Sequence, residues 1–147
     1  MTATTAHDPH QFLRTDAGRA LLARLRSATD GRTGDQLSAA IRAVTTAGSV
    51  LPQAEVDAAL TAITLLLAEF QPDLLDGAPD EDAVRDWLRH VDTELTPGRG
   101  LAAQAALARI AIDLDNQWYA AHVDEGTAAG ALADLRRLRE ALADAAH

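Results

Sequence analysis

PQAEVDAALTAITLLLAEFQP, residues 52–72, decides the fold class. Val56, Leu60, Ile63, Leu67 and Phe70 recur every three or four residues, the spacing of one face of an α-helix. Pro52 suits the first turn of such a helix, where a missing N–H costs nothing. Pro72 forbids continuation, because it lacks a donor and its ring clashes with the preceding turn. The stretch reads as a helix with an apolar stripe.

The same grammar extends to both sides. A first helix is expected over residues 16–29, with Leu21, Leu22 and Leu25 on one face and Asp30-Gly31 as its stop. A second starts at Thr33, whose spacing to Gln36 fits a capping box, buries Leu37, Ile41 and Val44, and ends at Gly48. Pro79 opens a fourth helix, with Asp80, Glu81 and Asp82 in its first turn complementing the helix dipole. Val84, Leu88, Val91 and Leu95 form its core face before Thr96-Pro97-Gly98 breaks it.

A fifth helix is expected over residues 101–124, with Leu107, Ile110, Leu114, Trp118 and Ala121 inward. Its non-charged arc spans about 200° on a helical wheel, which reads as a central, widely buried helix. Gln104, Asp115, Tyr119 and His122 fall inside that arc, and buried polar side chains need partners. Gly126-Thr127 ends this helix. A sixth then buries Leu132, Leu135, Leu138 and Leu142.

Strand-like alternation, internal repeats and long linkers are absent from the sequence. The expected architecture is all-α: a single-domain bundle of about six helices around a central fifth. Residues 1–15 read as a flexible N-terminal tail and residues 16–147 as the helical domain.

Composition agrees with this reading. Ala (33) and Leu (21) dominate, and both lose little side-chain freedom in a helix. The absence of Cys excludes disulfides, thiolate metal sites and a Cys nucleophile. Lys is absent too, which excludes Schiff-base chemistry and a P-loop. The first ten residues have no cationic start and no apolar core of a signal peptide. Apolar runs fall short of the roughly 18–20 residues that span a bilayer. The expectation is a cytoplasmic protein without a membrane role.

Charge is uneven along the chain. Residues 1–50 carry a net +2, residues 51–100 a net −8 and residues 101–147 a net −3, within an overall −9. That balance argues against nucleic acid, whose phosphates demand cationic surface. The acidic middle holds Asp73, Asp76, Asp80, Glu81, Asp82 and Asp86, with Trp87 beside them. Such a cluster can be solvated surface, a docking face for a cationic protein, or an oxygen-ligand cation site. It lacks the alternating ligand spacing of an EF-hand loop, and docking is the preferred functional reading. Trp87 would act there as an aromatic anchor.

Two smaller constellations carry chemistry. Asp115, Tyr119 and His122 can share one flank of the fifth helix, and a carboxylate orienting an imidazole is the core of many general-base sites. Ser27, Ser38 and Ser49 are the serines of the chain, and none sits in a nucleophile-elbow pattern. His7-Asp8-Pro9-His10 has metal-capable side chains, but its terminal position favours a frayed tail. No metal or cofactor is expected.

The second half carries Leu-Pro-x-Ala-Glu-Val at residues 51–56, a helix around Trp87, Asn116-Gln117-Trp118, and Ala-Asp-Leu-Arg-Arg-Leu at residues 133–138. In these motifs it resembles an actinobacterial family of small helical proteins of unknown function. The Gly-x-Trp-Gly motif that usually opens its members is absent here. The resemblance implies a helical fold and no established activity.

The leading expectation is a non-enzymatic acidic protein-binding module, in concrete form an immunity protein or antitoxin that masks a basic partner. The alternative is a small-ligand or hydrolytic site on Asp115, Tyr119 and His122. A structural homodimer is the third reading.

Overall fold

The computed structural model describes residues 13, 15–27, 33–46, 51–78, 80–91, 95–112, 117–126 and 128–145. Among them lie seven α-helices: α1 (Asp16–Ser27), α2 (Thr33–Thr46), α3 (Gln53–Leu67), α4 (Glu81–Leu88), α5 (Pro97–Ile112), α6 (Gln117–Glu125) and α7 (Ala128–Ala145). A 3-10 turn, Pro72–Leu75, joins α3 to α4. The described residues contain no strand. The described residues form an all-α bundle of seven helices rather than about six.

The difference in count arises in the expected fifth helix. Residues 101–124 are divided between α5 and α6, and residues 113–116 between them lie outside the described residues. Its start also differs, because Thr96-Pro97-Gly98 initiates a helix instead of breaking one. Thr96 Oγ1 accepts a hydrogen bond from the Arg99 N–H at 3.2 Å, and Pro97 occupies the first helical position. Thr15 does the same for α1 by accepting from Gly18 N–H at 3.0 Å.

The centre of the bundle is α3. Every residue from Ala59 to Leu67 is buried, so this helix is enclosed on all sides rather than along one stripe. It packs against α1, α2, α5, α6, α7 and the 3-10 turn. Its two buried threonines satisfy their hydroxyls within the helix: Thr61 donates to the Asp57 carbonyl and Thr64 to the Leu60 carbonyl, each at 2.8 Å. The helix ends at Leu67, and the chain turns through Ala68–Phe70. Phe70, expected in the core stripe, is therefore 53% exposed. Gln104, expected inside a buried arc, is exposed as well.

Around α3 the core gathers Leu21 and Leu25 of α1, Leu37, Ile41 and Val44 of α2, and Leu107 and Ile110 of α5. Leu135, Leu138 and Leu142 of α7 close the other side, and Leu13 joins the core ahead of α1. Arg109 reaches from α5 to donate to the Val44 carbonyl at 2.7 Å, satisfying the C-terminal end of α2 and complementing its dipole. The Arg99 guanidinium lies against Gly34, and only a bare Cα leaves it that room. α4 sits at the periphery, held by buried Val84 and half-buried Trp87 and Leu88.

Gly126 joins α6 to α7 with φ of 75°, a left-handed conformation that costs other residues about 1 kcal/mol or more. Gly126→Ala is expected to destabilise by that amount and lower the melting temperature by about 2–4 °C in a thermal melt.

Candidate functional site

The acidic residues singled out from the sequence lie on the 3-10 turn, the link after it and α4. Asp73, Asp76, Asp80, Asp82 and Asp86 are exposed and Glu81 is half-buried. Arg85 binds two of them: Nε donates to Glu81 Oε2 at 2.8 Å and Nη2 to Asp76 Oδ1 at 2.7 Å. Glu81 Oε1 also accepts from the Gly77 N–H at 2.7 Å. Glu81 and Arg85 therefore form a clip that folds the turn onto α4. Asp76 completes it from a largely exposed position, where such pairs contribute up to about 1 kcal/mol.

Asp80 precedes α4 with φ of 53°, a left-handed conformation that Asp tolerates better than most residues. Its side chain makes no capping bond. Asp73, Asp80, Asp82 and Asp86 form no ion pair with a described residue. Trp87 packs partly on the core beside this ledge. His90 folds back, its Nδ1–H donating to the Asp86 carbonyl at 2.8 Å.

A second polar group lies inside the bundle, and most of it escaped the sequence reading. Asp57 of α3 is 4% exposed, Asp134 of α7 is 9% exposed and His122 of α6 is 5% exposed. Burial pushes the Asp57 carboxyl up from its ordinary value of 3.8 to about 7. The Trp118 indole opposes that shift and the Glu125 carboxylate adds to it. The indole nevertheless stops short of hydrogen-bond geometry, and Trp118 Nε1 is buried without a partner. His122 meets the Trp118 ring edge-to-face, with centroids 4.7 Å apart and planes at 72°.

Of the expected Asp115–Tyr119–His122 constellation, His122 is buried and Tyr119 is half-buried against the core. Asp115 lies outside the described residues, as do His7, Asp8 and His10. The cavity beside His122, lined also by Leu60, Trp118 and Asp134, measures about 10 Å³. That is about the room of one water and far below a substrate site. A carboxyl titrating near neutrality has general-base character, but Asp57 is 4% exposed and does not line that cavity. Asp57 had one sequence signal: a carboxylate one position after Val56, at the start of the longest apolar-rich segment of the expected helix.

Among the described residues, no group of three or more His, Asp or Glu could hold a metal ion. No described helix is long and apolar enough to cross a membrane. Fold and surface together define an all-α bundle with an acidic ledge at its edge. No family model, curated protein or solved structure matches the chain.

Proposed function

We infer that the chain is a protein-binding module that presents its acidic ledge to a cationic partner. The observation that supports this reading is the excess of free carboxylate over cation on the ledge. Arg85 neutralises part of the charge of Asp76 and Glu81, while Asp73, Asp80, Asp82 and Asp86 keep theirs for solvent or a partner. Like charges held together on a rigid turn and helix raise the potential at one place on the surface. Such a patch accelerates encounter with an opposite charge and rejects acidic competitors. Trp87, half-buried at its margin, supplies the apolar anchor that charge alone lacks. An immunity protein or antitoxin masking a basic toxin is the concrete form.

The variant that tests this must spare the clip, because losing Glu81 would release the turn. Asp73→Asn, Asp82→Asn and Asp86→Asn combined remove three charges and no described ion pair. The association rate with the partner is expected to fall about tenfold at low salt, and the difference to shrink toward nothing at 1 M salt. Unchanged association at low salt would remove the ledge from the interface.

A further inference from the structure

A groove of about 390 Å³ opens between α1 and the segment that runs from the 3-10 turn into α4. Leu65 of α3 lines it, and Leu75, Ala78 and Val84 form the wall opposite α1. The α1 wall is Arg19, Leu22, Ala23 and Arg26, positions i, i+3, i+4 and i+7 of one helical stripe. The two arginines therefore bracket an apolar wall and stand about 10 Å apart along the axis, seven residues at about 1.5 Å each. Both are exposed, and neither forms an ion pair with a described residue.

Free guanidinium groups above an apolar trough are complementary to a molecule with an alkyl body and an anionic head. The cationic character of this wall also runs against the −9 charge of the chain, so it does not follow from composition. Size limits the occupant further. The groove sits at the small end of the range for small-molecule sites, and a helix of a partner, about 10 Å across, needs more room.

We propose that this groove binds a free, medium-chain amphipathic carboxylate. The alkyl chain lies between Leu22 and the Leu75–Val84 wall, and the carboxylate accepts paired hydrogen bonds from a guanidinium of α1. Asp80 on the opposite rim repels the head group and so fixes its orientation toward Arg19 and Arg26. The groove shares Asp80 with the acidic ledge, and the variants that test it differ from the Asp73, Asp82 and Asp86 variant that tests docking.

Decanoate, whose extended chain is about as long as the arginine-bracketed wall, is the probe. Titrated into the full chain below its micellar concentration, it is expected to saturate and to shift the amide resonances of Leu22, Leu75 and Val84. Arg19→Gln with Arg26→Gln, both at exposed positions, should weaken binding about tenfold, and decanol should bind wild type about tenfold more weakly than decanoate. Asp80→Asn keeps a residue that tolerates the left-handed backbone and should tighten decanoate binding a few-fold. Failure to saturate, shifts confined to other residues, or equal binding by the double arginine variant would each overturn the proposal. Concentration-dependent shifts of the same resonances without ligand would make a second copy of the chain the occupant and overturn it equally.

Discussion

Asp57→Asn is expected to stabilise the protein by about 3–4 kcal/mol at pH 8 and to change it little at pH 4. The carboxyl is pushed up to about 7 in the folded chain, against 3.8 when solvated. Between those two values the folded state retains a proton that the unfolded state has released. Stability therefore falls as pH rises through that window, by about 1.4 kcal/mol per pH unit, and levels off above about pH 7. The penalty reaches about 4 kcal/mol, less whatever the new amide loses by being buried among apolar neighbours. Asn carries no proton to lose, so its advantage grows across the window and then holds steady. Urea midpoints of the two proteins from pH 4 to pH 8 measure it. At pH 8 the melting temperature should rise by roughly 10 °C. Parallel stability curves would mean that Asp57 is ionised in the folded state and held by a partner.

Ile63→Ala is expected to cost about 2–5 kcal/mol, because it removes a fully buried side chain at the middle of α3 and leaves a cavity. Six other elements pack on that helix, so little of the space can close by moving one neighbour. Leu101→Ala makes a comparably large-to-small change in α5 at a site 67% exposed, and should stay within about 0.5 kcal/mol of wild type. Urea denaturation of both variants places the hub. A larger loss at Leu101 than at Ile63 would contradict the arrangement around α3.

Periodicity alone made the helices of this chain legible, and it chose the wrong one as centre. The wheel of residues 101–124 counted Gln104 as inward, whereas the structure leaves it exposed, as it does Leu101. The stripe in α3 looked narrow because Leu65 and Leu66, lying off it, were not weighed, although both are buried. Proline had two meanings that spacing did not separate. α3 stops at Leu67, short of Pro72, which opens the 3-10 turn, and Pro97, behind the Thr96 cap, opens a helix where a break was expected. The acidic ledge was visible because it is contiguous in sequence. Its Arg85 clip, bridging a turn and a helix, was not. The Asp57–Trp118 encounter joins α3 to α6 and needed the fold to appear. The arginines of α1 showed their spacing from the start, but the wall across from them comes from residues more than forty positions later.

The docking claim is tested most directly by capture from the lysate of the native host, with the wild-type chain and the Asp73→Asn, Asp82→Asn, Asp86→Asn variant as parallel baits. A single basic protein, retained stoichiometrically by wild type at low salt and lost both from the variant and at high salt, is the predicted result. Equal capture by the two baits, or no stoichiometric partner at low salt, would contradict it.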